Sequence, residues 1–168
     1  MGPAVGLIAA RRAVQVSGPR RTLSHPVIIE VEPRENIAAG RFGWGLGPWA
    51  PADSVHRVSA AGRLLNGAGS ALAEAGQPGA AGSGQVDAAE ILAAAAGCSL
   101  VAVVRDAHRD EQTRSLVSAL LAARPDLILV EMGLPFWRPP EGTSYLATYG
   151  ASRASAHAAA ELLGLAPA

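Results

Sequence analysis

The sequence predicts an α/β fold, a three-layer α/β/α sandwich built on a mostly parallel open sheet. Three observations predict it. Residues 99–104 and 127–130 (Ser-Leu-Val-Ala-Val-Val and Leu-Ile-Leu-Val) are near-continuous apolar runs, as expected of strands covered on both faces. Between them lies a segment of helical spacing, with Leu116, Val117, Leu120 and Leu121 on one face. A strand–helix–strand order of this kind implies parallel pairing through right-handed crossovers, which brings every strand's carboxyl end to one edge of the sheet.

The other elements follow along the chain. Apolar spacing through Val5, Leu7, Ile8, Ala9, Ala13, Val14 and Val16 predicts a helix over residues 5–16, ended by Gly18-Pro19. The β-branched run at residues 27–33, set between prolines, predicts a strand. Residues 34–53 hold Gly40, Gly43, Gly45, Gly47, Pro48 and Pro51 around Trp44 and Trp49, a density that suits only a structured loop. A short strand is expected at 54–60. Residues 62–84 are rich in Gly and Ala, with a short helix expected near 70–75. The segment at about 66–85 reads as a flexible connector inside one domain spanning 1–168. Asp87 is placed to N-cap a helix through Ala96, with Gly97 just past its end. Asp110 is placed to cap the next helix, which runs to about Ala123 and is broken by Arg124-Pro125-Asp126. Residues 132–148 read as a loop, and an alanine-rich helix covers about 151–163.

Composition removes several classes of function. Hydrophobic residues make up 49% of the chain, but much of that is alanine and aromatics are only 4%, so the core rests on Val, Ile and Leu. Fourteen basic residues balance fourteen acidic ones, which gives no electrostatic reason to expect nucleic acid or an anionic membrane as partner. All the basic residues are arginine, so a lysine Schiff base and a P-loop lysine are excluded. The single cysteine, Cys98, excludes an internal disulfide and a cysteine-rich metal site, and reads as a buried inert thiol. No apolar run approaches the roughly 20 residues of a membrane span. Arg11 and Arg12 follow the weakly apolar start rather than precede it, the wrong order for a secretory signal, so a cytoplasmic location is expected. No metal or cofactor is expected.

In open α/β sheets, ligands bind outside the carboxyl ends of the strands. Three loops should leave that edge, at residues 32–53, 105–110 and 131–148. The middle one, Arg105-Asp106-Ala107-His108-Arg109, is the only concentrated polar cluster. An Asp two residues before a His, beside arginines, suits an acid–base pair or a grip on a carboxylate or sugar hydroxyl. The same residues suit a structural role, with Asp110 as a helix cap and Asp106 and Arg105 satisfying loop amides. Glu131 precedes the tight turn Met132-Gly133-Leu134-Pro135 and is expected to pair with an arginine across the two loops. Trp44, Trp49 and Trp137 lie in loops of the same edge, fit either to stack on a sugar or dock a protein, or to cap a core poor in aromatics. His25, His56, His108 and His157 are scattered. Gly43-Trp44-Gly45-Leu46-Gly47 lacks the spacing of a dinucleotide loop, and no G-x-S-x-G elbow occurs.

Several stretches together resemble the C-terminal domain of family 3 glycoside hydrolases, above all actinobacterial β-N-acetylhexosaminidase-type members. They are Arg105-Asp106-Ala107-His108-Arg109, Arg124-Pro125-Asp126, Val130-Glu131-Met132-Gly133-Leu134-Pro135 and Thr148-Tyr149-Gly150-Ala151-Ser152-Arg153-Ala154. Ile37-Ala38-Ala39-Gly40 with Trp44-Gly45-Leu46-Gly47-Pro48 is similar to an earlier loop of that domain, and Arg11-Arg12-Ala13-Val14 to its opening helix. The resemblance implies a two-part enzyme in which a preceding barrel supplies the aspartate nucleophile. In the N-acetylglucosaminidase branch, an Asp–His pair on a barrel loop is the acid/base. A (β/α)₈ barrel needs about 250 residues, so no catalytic residue is expected here and Asp106 with His108 is not that pair. Retention needs two groups about 5–5.5 Å apart across the scissile bond, and the nucleophile's half belongs to the barrel.

The expectation is therefore an accessory domain of carbohydrate metabolism, inactive alone, partnered by a barrel domain or chain and an amino-sugar glycan. Its candidate sugar- or domain-facing residues are Arg105, Asp106, His108, Arg109, Glu131, Trp44 and Trp137. The alternative is a carbohydrate- or protein-binding α/β module.

Overall fold

The computed structural model describes residues 3–32, 45–62, 92–93 and 95–167. In chain order they form α1 (Pro3–Ala13), β1 (Gln15–Ser17), β2 (Val27–Glu32), β3 (Val55–Ser59), β4 (Leu100–Val104), α2 (Glu111–Ala123), β5 (Ile128–Glu131), β6 (Ser144–Ala147) and α3 (Arg153–Leu162). Short 3-10 turns lie at Gly47–Trp49, Ala52–Ser54 and Ala107–Arg109. The strands form one sheet in the order β1-β6-β5-β4-β2-β3. All neighbours pair in parallel except β1, which runs antiparallel to β6. The predicted α/β sandwich with a mostly parallel sheet is what forms.

Alternation along the strands builds two cores. Ile29, Val31, Ala102, Val104, Leu129 and Tyr145 face Val117, Leu120 and Leu121 of α2. Ile28, Val101, Val103, Ile128, Val130 and Leu146 face Ala156, Ala159 and Ala160 of α3. Each fully buried Val, Leu or Ile contributes roughly 1.5–3 kcal/mol. The alanines of α3 add little area individually, but their small side chains let the helix lie close to the sheet. α1 packs against α3, and Arg11 Nε donates to Glu161 Oε2 at 2.7 Å.

The helix starts follow local chemistry. The Asp110 carboxylate accepts from Gln112 N–H at 3.2 Å and from Thr113 Oγ1 at 2.7 Å, as its position ahead of the helix predicts. Ser152 caps α3 in the same way, accepting from Ser155 N–H at 3.1 Å.

Three expectations are corrected. The first helix ends at Ala13, not residue 16, because Gln15, Val16 and Ser17 extend and pair with Ala147, Leu146 and Tyr145. The stretch 132–148, expected to be loop throughout, contains β6, wholly buried between β5 and β1. Cys98 is a free thiol, half-buried rather than buried. The connector at 66–85, the start of the helix capped by Asp87, the 37–40 loop and Trp44 lie outside the described residues. Leu92 and Ala93 are helical, and Gly97 has φ +76°, the left-handed geometry of a residue just past a helix end. Among the described residues, no helix is long and apolar enough to cross a membrane.

Candidate functional site

Right-handed crossovers place the ends of β4, β5 and β6 side by side, and the segments that leave them enclose a shallow cleft of about 320 Å³. Arg105, Asp106, His108 and Arg109 supply one wall. Gly133, Leu134 and Phe136 supply a second, and Tyr149, Gly150 and Ala151 the third. The polar cluster singled out in the sequence is thus brought to a concave surface at the predicted edge.

The 105–109 loop is held from three sides. From below, Glu131 at the end of β5 accepts the backbone N–H of Asp106 at 2.7 Å and of Ala107 at 3.1 Å. From the α2 side, Arg114 Nη1 donates to the carbonyls of Ala107 and His108 at 3.2 and 2.7 Å. From the front, Asp106 Oδ1 accepts the N–H of Leu134 at 2.9 Å. Asp106 itself has φ +50°, ψ +44°, a left-handed conformation that Asp tolerates better than most residues. Gly133 is required by this packing, since a Cβ there would run into the Asp106 carboxylate. Tyr149 is a second strained position, with φ +56° in a bulky residue, and its hydroxyl donates to Gln15 Oε1 of β1 at 2.8 Å. Backbone strain at two residues lining one cleft is the kind of cost that functional sites carry.

The site's electrostatics are mixed. Arg105 Nε lies 3.8 Å from Asp106 Oδ2, and Arg109 is exposed with no ion pair among the described residues. The His108 ring meets Phe136 edge-on at 5.0 Å, and its buried Nδ1 has no hydrogen-bond partner among the described residues. Burial pushes the Glu131 carboxyl up to about 7, with a further upward push from the Asp106 charge and an opposing pull from the two amides. Burial likewise raises the Tyr145 hydroxyl, which is buried and has no hydrogen-bond partner among the described residues. The cleft offers arginine donors and an apolar ring to a ligand. It does not offer two free carboxyl groups, because Asp106 is engaged by Leu134 and Arg105, and Glu131 is only 1% exposed.

Of the residues named from sequence, Arg105, Asp106, His108 and Arg109 line the cleft, while Glu131 lies beneath it. The Glu131–arginine pair does not form among the described residues. Backbone amides take its two oxygens instead. Trp137 and Trp49 are half-buried and pack against the two cores, and Trp49 stacks on His157 at 5.1 Å. Neither tryptophan lines the cleft. Phe136, Leu134 and Tyr149 do, and sequence reasoning missed them. Phe136 is 75% exposed, which makes it the most open large apolar side chain of the site. A second carboxylate, Glu30 of β2, also escaped notice. It is 2% exposed and accepts the N–H groups of Leu46 and Gly47 at 2.7 and 3.1 Å, with Arg57 Nε at 3.3 Å.

Neither a protein-family model nor a curated protein matches the sequence. Among solved structures, the chain is similar to a glycoside hydrolase family 3 β-N-acetylglucosaminidase from Paenibacillus sp. strain FPU-7, with a TM-score of 0.60 over 95% of this chain at 19% identity. The shared property is the fold. The chain spans 30% of that enzyme's length, so the likeness is to one region of a larger molecule.

Proposed function

We propose that this chain is the C-terminal α/β domain of a β-N-acetylhexosaminidase-like family 3 glycoside hydrolase, acting beside a catalytic barrel rather than alone. The observation that carries the reading is the fold match to part of a family 3 enzyme, together with the family-like stretches that supply the cleft walls. The cleft's chemistry agrees with an accessory role. Arg105 and Arg109 can donate to sugar oxygens or to an acidic partner surface, while its carboxylates are committed to holding the backbone. Among the described residues, both Glu131 oxygens and Asp106 Oδ1 already accept backbone amides, which leaves the cleft without a free pair of the kind that retention needs.

The purified chain should give no turnover of 4-nitrophenyl N-acetyl-β-glucosaminide above background. Turnover that disappeared in Asp106→Asn or His108→Gln would place catalysis in the cleft and overturn the reading.

A second reading, a module that binds carbohydrate or protein through this cleft, is favoured by the exposed ring of Phe136 beside Leu134 and Tyr149. It predicts that N-acetylglucosamine oligomers shift the backbone amide signals of residues 105–109 and 134–136. Unmoved signals at millimolar sugar would remove the carbohydrate version.

A further inference from the structure

Glu131 ties the backbone of the 105–109 loop to the end of β5, and it does so in a form that depends on its charge. An ionised carboxylate is an acceptor at both oxygens, and both are used here, toward Asp106 N–H and Ala107 N–H. A protonated carboxyl carries a donor on one oxygen. With two N–H donors fixed opposite it, the protonated oxygen becomes the poorer acceptor and brings a donor of its own, so that hydrogen bond is weakened. The segment being held includes Asp106 in the left-handed region at φ +50°. Asp106 also carries the contact to Leu134, so release of its backbone loosens the front wall of the cleft.

We propose that Glu131 is a proton-operated latch, which shapes the cleft while ionised and frees the 105–109 loop when protonated. The titratable and charged groups around it come from three elements. Asp106 on the loop disfavours the anion, and Arg105 offsets that charge from 3.8 Å. Tyr145 on β6 shares the buried space with no partner for its hydroxyl among the described residues, and Arg138 acts on Tyr145 from the segment after β5. His108 lies on the same loop, with its Nδ1 buried. The position of Glu131's titration, about 7, puts the latch within the neutral range. The inference goes beyond the proposed function, since it holds whether the cleft meets a barrel, a glycan or another protein.

The test is amide hydrogen exchange of the whole chain followed by NMR between pH 5.5 and 8.5. After correction for intrinsic exchange, protection at Asp106 or Ala107 should fall about tenfold as Glu131 protonates, with α2 and β4 amides unchanged. Glu131→Gln keeps one acceptor and adds a donor, so it should show the low-pH behaviour throughout and lose the pH step. His108→Gln should keep the step. A flat profile in the wild type, or a step that survives in Glu131→Gln, would overturn the latch. If that variant does not fold, the side-chain ¹³C carboxyl signal of Glu131 supplies the check. Its midpoint must coincide with that of the amides, and separate midpoints would sink the idea. A chain with no glycosidase relationship could still pass this test, so its failure and that of the proposed function are distinguishable.

Discussion

Asp106 and Glu131 are both acids, yet they are joined: the backbone N–H of Asp106 donates to the Glu131 carboxylate at 2.7 Å. The bond runs between the ends of β4 and β5, neighbours in the sheet through the Val104–Glu131 register. It sets two opposed requirements on one side chain. The amides favour the anion, and burial favours the neutral acid.

Burial wins, and the sign of the resulting pH dependence follows. The folded chain keeps the Glu131 proton up to about 7, whereas an unfolded glutamate releases it near 4.5. Between those values the folded state binds more protons, so this group makes stability fall as pH rises from about 4.5 to 7 and level off above. The size is of order 3 kcal/mol at most. Urea unfolding at pH 5 and pH 8 should show the higher midpoint at pH 5, and Glu131→Gln should flatten the difference. Equal midpoints in the wild type would show that Glu131 is ionised at both values.

Gly133→Ala should disturb the same junction from the other side. The new methyl group overlaps the Asp106 carboxylate and lies 3.0 Å from its backbone nitrogen, which cannot move without breaking the bond to Glu131. A cost of about 1–3 kcal/mol is expected from this overpacking, read as a lower urea midpoint together with shifted amide signals at residues 105–109. Wild-type stability would mean that the loop yields freely.

Glu30→Ala tests the parallel arrangement at β2. It strips the acceptor from the buried N–H of Leu46 and from Gly47, and leaves Arg57 without its partner. A loss of about 1–3 kcal/mol is expected, almost all of it from the unsatisfied amides. The Arg57 pair is half exposed and contributes little. Arg57→Ala should therefore be nearly neutral in the same unfolding measurement, and a large effect would reverse that apportionment.

Much of the sheet was legible in the sequence because β2, β4 and β5 are buried on both faces and are mostly Val, Ile and Leu, with Glu30 and Glu131 the buried exceptions. The Asp110 cap was equally plain, since its partners are two and three residues away. β6 was not legible. It is four residues long, follows Pro139-Pro140-Glu141-Gly142 and is flanked by Thr143 and Thr148, so its identity as a strand comes from pairing with β5 and β1. β1 was hidden for a related reason, because Val14 and Val16 continue the spacing of the helix before them. Losing β6 also concealed Tyr149 as a residue at a strand end. In the site, the polar loop was found, but the role of Glu131 was not. Side-chain types suggest an arginine partner, whereas every residue but proline carries an N–H, and nothing in a sequence marks which amide will lie in reach.

Glu30 and Glu131 each grip two consecutive main-chain N–H groups of a neighbouring segment. Such a grip constrains the path of the chain and is indifferent to the side chains that the gripped residues display. At each grip one of the two residues, Leu46 or Ala107, is also buried in a core, so the rim of this sheet is fixed twice over, once through the main chain and once through a side chain below it.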